Sequence, residues 1–191
     1  IYGMGLTQHV RGVENVRMLV NLLLLRGNIG KPGAGPTPVR GHSNVQGQRT
    51  VGITEKPELV PVEKLKELYG FDPPTEKGLD TIGTCQGVID GSVKAVIGLG
   101  GNFLRAIPDT DAMEAAWPKL DLSVQIATKL NRNHLFPGRT TYLLPCLGRI
   151  EEDLQETGPQ AVSTEDSTSC IHGSRGKAKP ASPHLLSEPR I

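Results

Sequence analysis

The apolar run from Val93 to Leu99, closed by Gly100 and Gly101, constrains the fold most strongly. A short run of this character is too brief for a buried helix and predicts an interior strand of a parallel sheet, with glycines crowding its carboxyl end. Leu120 to Ile126 and Thr140 to Leu144 predict two further strands, and Asp109 to Trp117, closed by Pro118, predicts the helix between the first two. Upstream, Ile1 to Leu6 reads as the end of a buried strand that leaves Thr7, Gln8 and His9 exposed at its carboxyl end. Val13, Val16, Val20, Leu23 and Leu24 then recur at helical spacing, predicting a mostly buried helix from Val13 to Arg26 stopped by Gly27. Val62 to Tyr69 and Thr81 to Ile89 are expected to be helices, and Thr128 to His134 a polar loop or short helix. This alternation predicts an α/β fold built on a parallel sheet flanked by helices. From Gly148 onward glycines and prolines interrupt the chain and apolar periodicity disappears, so an extended C-terminal tail is expected.

With 191 residues the chain can form one domain or parts of two. A formal net charge of +1 carries no nucleic-acid footprint and no polybasic membrane surface. Cys85, Cys146 and Cys170 are odd in number and show no C-x-x-C pairing, which points to free thiols in a reducing, cytoplasmic compartment. The longest apolar candidate, Val16 to Leu25, is broken by Arg17 and Asn21 and falls short of a membrane span. The chain opens at Ile1-Tyr2-Gly3-Met4 with no initiator methionine or signal peptide, as if entering mid-strand, and is expected to be a fragment of a larger protein.

Between Gly30 and Gly52 the sequence GKPGAGPTPVRGHSNVQGQRTVG predicts a loop, because its prolines exclude helix and central strand and its glycines allow close backbone approach. Its polar cargo of Arg40, His42, Asn44, Gln46, Gln48 and Arg49 suits a planar polar ligand or an oxyanion; a bland surface turn is the competing reading. Arg40 and His42 stand two residues apart, so in an extended loop both side chains can face one side. Arginine supplies a fixed charge for a carboxylate, and histidine can hydrogen-bond or move a proton near neutral pH. Alternatively, Arg40 simply bonds a nearby acid or backbone carbonyls. No histidine pair stands at i, i+4 and no H-E-x-x-H occurs, so no metal site is expected from this segment alone. Gly98 to Phe103 lacks the third glycine of G-x-G-x-x-G, which disfavours a plain NAD site; its glycines either serve a ligand or merely permit a tight turn. Cys146 has no base paired with it in the sequence and reads as a buried, inert thiol.

Three ordered blocks, MGLTQH at Met4 to His9, LLRGNIGKPGAG at Leu24 to Gly35 and PVRGHSNVQG at Pro38 to Gly47, resemble the catalytic alpha subunits of molybdopterin-dependent oxidoreductases. The similarity is greatest to the formate dehydrogenase-like branch, whose corresponding loop reads PVRGQNNVQG or close to it. GLGGNFLRAIPDT at Gly98 to Thr110 and SVQIATKLNRNHL at Ser123 to Leu135 extend the resemblance over nearly the whole chain, as an internal piece of such a subunit.

The resemblance implies parallel-sheet, Rossmann-like subdomains of the formate dehydrogenase / DMSO reductase type. Residues 1–42 would close one α/β cofactor-binding domain, 43–150 would form most of a second, and 151–191 would be an extended segment of the same subunit. It implies a molybdenum or tungsten ion held by two molybdopterin guanine dinucleotides, with the metal-ligating residue and any iron–sulfur cluster outside this chain. Arg40 matches the arginine that orients the formate carboxylate, and His42 takes the place of a glutamine near the pterin, a departure that bears on substrate handling. Met4, Gly5 and Gln8 match a pterin-contacting turn, and Gly101, Asn102, Gln125 and Thr128 match positions near the guanine dinucleotide. Close relatives more often carry aspartate at the place of Asn102. The implied reaction is a two-electron oxidation of formate or another small substrate. The implied partners are that substrate, the rest of the polypeptide and an electron-transfer subunit. The competing classes are a noncatalytic cofactor-binding scaffold descended from such enzymes and a simple nucleotide-binding α/β domain.

Overall fold

The computed structural model describes all residues from Ile1 to Ile191. The chain divides into two compact units: residues 1–50 with 164–172, and residues 51–163 with 173–191.

The second unit carries the sheet. Strands β1 (Ala95–Leu99), β2 (Leu122–Ala127) and β3 (Thr140–Pro145) run parallel in the order β1-β2-β3, with Val96 opposite Ser123 and Gln125 opposite Leu143. The predicted parallel α/β arrangement is therefore present. Its centre is β2, however, and β1 lies on an edge of this sheet with Ile97 and Leu99 exposed. The apolar run reported the chemistry of the strand, and strand order depends on crossovers that a single run does not encode.

The buried core joins one face of the sheet to α5 (Thr81–Asp90), α6 (Phe103–Ala106) and α7 (Thr110–Ala116). Cys85, Val88, Leu104, Ile107, Met113, Ala116, Trp117 and Leu120 form one cluster, with Phe103 and Trp117 tilted at 45° and 6.0 Å between ring centroids. Helix α5 starts where the Asp80 carboxylate accepts a 2.8 Å bond from Gly83 N, satisfying one of the amides that a helix start leaves unpaired. Helix α4 (Val62–Tyr69) has the expected bounds.

Beyond Gly148 the tail is extended yet ordered by polar bonds. The Glu151 carboxylate accepts from Gly148 N at 2.7 Å and Ala181 N at 2.6 Å, while β4 (Leu154–Gln155) pairs antiparallel with β5 (Gly158–Pro159). Strands β6 (Val162–Glu165) and β7 (Ile171–Ser174) form a further two-stranded sheet. Such hydrogen-bonded order leaves no apolar period in sequence.

In the first unit the expected strand Ile1–Leu6 shrinks to a bridge between Tyr2 and Pro38, and Met4–Thr7 is the short helix α1. Helix α2 (Gly12–Leu25) matches the expected element, but not its burial: Val13, Met18, Leu22 and Leu25 are exposed. The helix is apolar around much of its surface, and α1 packs on only part of it. Within the Gly30–Gly52 stretch, Val45–Thr50 folds as helix α3, contrary to the expected loop throughout. The helix-excluding prolines stop at Pro38, which leaves this segment free to wind.

Candidate functional site

Tyr2 bridges to the loop through two backbone bonds, Tyr2 N to Thr37 O at 3.0 Å and Val39 N to Tyr2 O at 2.7 Å. This pairing sets Met4 of α1 beside Gly41, so that a side chain begun at Gly41 would meet the Met4 sulfur at 3.0 Å. The result is an open cleft of about 330 Å³ lined by Tyr2, Met4, Thr7, Arg40, His42, Gln46 and Ser167, among others. Of the expected residues, Met4, Arg40 and His42 are brought together here; Gly5 and Gln8 are exposed and outside the lining.

Arg40 is half-buried, and its guanidinium is held on one side. Nη1 donates to Gln46 Oε1 in a very short contact and to the Glu165 carbonyl at 2.9 Å, and Nη2 donates to the Ser43 carbonyl at 2.5 Å. The bonding to backbone carbonyls considered from the sequence is thus real. A guanidinium has five N–H donors, so these three bonds leave Nε–H and one Nη2–H. Two donors are what a carboxylate needs for bidentate recognition. His42 is exposed at the cleft.

The tip of the β6–β7 hairpin has its own polar knot. Asp166 accepts from Thr168 N at 2.8 Å, Thr168 Oγ1 at 2.7 Å and Cys170 N at 3.0 Å, and His172 Nε2 lies 2.7 Å from its Oδ2. The His172 bond foremost, then those from Thr168 and Cys170, hold the Asp166 carboxyl far below the usual carboxylate range.

In the second unit a separate cavity of about 320 Å³ opens at the carboxyl end of β1. Gly100 (φ 72°) and Gly101 (φ 76°) turn the chain there, and open space stands where a Cβ would project from either. Gln125 is buried in β2 and lines this cavity; its Oε1 accepts from Asn133 Nδ2 at 2.6 Å. Asn133 Oδ1 also accepts from Leu104 N at 3.0 Å, and the Asn133 backbone N donates to Asn102 Oδ1 at 3.1 Å. Asn131 Nδ2 donates to the Gly101 carbonyl at 2.7 Å. The structure thus gathers Gly101 and Gln125 on the cavity, ties Asn102 in through Asn133, and leaves Thr128 exposed outside the lining. Asn131 and Asn133, the knot of this network, were not singled out from sequence. Their signal was the N-R-N-H run just past a strand, which reads equally as a solvated loop. Trp117 lines the same cavity, and its buried Nε1 has no acceptor.

Cys85 and Cys146 are buried, as expected for Cys146, and burial is the main cause that pushes both thiols up. No three His, Cys, Asp or Glu side chains are gathered as a metal site. No helix is long and apolar enough to cross a membrane.

Residues 1–134 match the family model described as molybdopterin oxidoreductase. A protein called YdeP from Escherichia coli (strain K12) is 56% identical over 187 residues, covering 98% of this chain and 25% of that protein. An uncharacterized oxidoreductase of Mycobacterium tuberculosis is 48% identical over 190 residues, covering 100% of this chain and 24% of its own length. Formate dehydrogenase H of Escherichia coli (strain K12) is 33% identical over 135 residues, 65% of this chain and 19% of that enzyme. The chain spans about a quarter of the length of the first two relatives.

Proposed function

Since the chain belongs to the molybdopterin oxidoreductase family, we propose that it is an internal piece of a formate dehydrogenase-like enzyme that removes two electrons from formate or another small substrate. The observation that carries this reading is Arg40, half-buried in a cleft with two guanidinium donors left over for an anion. Arg40 would bind and orient a carboxylate, and His42 at the same cleft would hydrogen-bond to it or hold a proton. The formate assignment is supported by the name of one distant relative and by the resemblance of the loop Pro38 to Gly47 to that of formate dehydrogenases.

The cofactor is proposed as molybdenum or tungsten with two molybdopterin guanine dinucleotides, and the residues present fit such a group. Open space before Gly100 and Gly101 admits a bulky polar moiety, and the unpaired Trp117 Nε1–H is a donor awaiting an acceptor. Gly101, Asn102, Gln125 and Thr128 would hold the nucleotide portion, and Met4, Gly5 and Gln8 the pterin portion. When bound, the group supplies the electron sink, while the chain's own residues bind, orient and screen the substrate. On this reading residues 1–42 close one cofactor-binding domain, 43–150 form most of a second, and 151–191 belong to the same subunit. The exposed apolar side chains of α2 fit packing against the remainder of that polypeptide. Three free cysteines fit a reducing, cytoplasmic setting.

A second reading, a noncatalytic cofactor-binding scaffold, draws on the three protein acceptors already bound by Arg40. The two separate on turnover. The full-length protein is expected to reduce a viologen dye with formate as donor; dye reduction absent with formate and with other small anions, in protein that carries its cofactor, would favour the scaffold.

A further inference from the structure

Arg40 is fastened from a part of the chain far away in sequence. Three bonds converge on Glu165 at the tip of the β6–β7 hairpin. Its carbonyl accepts from Arg40 Nη1 at 2.9 Å, its amide donates to Asn44 Oδ1 at 2.9 Å, and its carboxylate accepts from the Thr50 hydroxyl at 2.5 Å. Asn44 and Glu165 stand 121 positions apart, so this clasp ties the Arg40 loop to a hairpin outside the family-matched region, which ends at residue 134.

We propose that Asn44 is a positioning residue for Arg40. Its side chain fixes the Glu165 backbone, whose carbonyl then occupies one Nη1 hydrogen and aims the remaining two donors into the cleft. The proposal rests on the reading of Arg40 as the anion-binding group. Because the contact to Arg40 is made by a backbone carbonyl, substitution of the Glu165 side chain leaves it in place; the side chain that holds the carbonyl is Asn44. Gly47 gives independent access to the same clasp, since a Cβ there would stand 2.1 Å from Asn44 Oδ1. Gly47→Ala favours helix α3 by propensity and still forces the Asn44 amide out of place.

The experiment uses the full-length cofactor-loaded protein with formate, reading Kd by calorimetry together with KM and kcat. Loss of one such hydrogen bond corresponds to about a tenfold change in affinity. Asn44→Ala and Gly47→Ala are each expected to raise formate Kd and KM about tenfold with kcat changed less than about twofold, whereas Asn44→Asp, which keeps an acceptor oxygen, stays within about threefold. Gly47→Ala carries the test if Asn44→Ala does not fold. Wild-type Kd in both disruptive variants, alongside a large loss in Arg40→Ala, overturns the positioning role and spares Arg40. Unchanged Kd in Arg40→Ala overturns the anion-site reading and the positioning role with it.

Discussion

Arg40→Ala in the full-length protein is expected to raise the KM for formate by about 30- to 150-fold, the equivalent of about 2–3 kcal/mol. The size follows from the bonding. On the proposed reading the variant takes two charge-assisted donors away from the anion, in a cleft in which no other arginine or lysine is among the lining residues. Arg40→Lys should recover little of the loss, because an ammonium is a point charge without the two-pronged geometry and cannot reach Gln46, Glu165 and the anion together. Steady-state kinetics across formate concentrations provide the check. A KM unchanged in Arg40→Ala would show that the guanidinium serves only its protein acceptors. Those acceptors make the truncation partly structural, so the stability of each variant is measured beside its kinetics.

The largest expected stability effect lies in the other unit. Trp117→Ala should destabilise the fold by about 3–5 kcal/mol, a large share of the roughly 5–15 kcal/mol that holds a typical domain together. Trp117 is 1% exposed, packs against Phe103, and belongs to the one cluster that joins α5, α6 and α7 to the sheet. Trp117→Phe should cost much less. It keeps most of the apolar surface and removes an indole N–H that has no acceptor, and an unpaired buried donor carries a penalty of about 1–3 kcal/mol. Urea unfolding followed by far-UV circular dichroism measures both. Equal midpoints for Trp117→Ala and the parent protein would remove Trp117 from the core account.

How much of this was legible in sequence depended on whether the cause was local. Helices Val62–Tyr69 and Thr81–Asp90, the second expected to end at Ile89, were readable because their causes are local in the chain. Arg40 and His42, paired from their spacing, both line one cleft, although the chain bends at Gly41 and His42 and does not run extended between them. The edge position of β1 was not legible, since strand order depends on the crossover through α6 and α7. Nor was the exposure of Val13, Met18 and Leu22: helical period shows which residues share a face, not what covers it. Glu165 was out of reach altogether. It acts on Arg40 through a backbone carbonyl 125 positions away, and no side-chain pattern announces that. The Asn102–Asn133–Gln125 chain was half visible, with its end members nominated and its centre passed over as loop.

The central claim is that Arg40 and the Gly100–Gly101 cavity belong to a molybdopterin enzyme, and cofactor content tests it most directly. The purified full-length protein, analysed for metal by mass spectrometry, for pterin by fluorescence after oxidation and for nucleotide after acid hydrolysis, should hold molybdenum or tungsten with about two guanine nucleotides per metal ion. Protein that is folded yet free of metal, pterin and guanine nucleotide, after expression in cells able to make the cofactor, would contradict it.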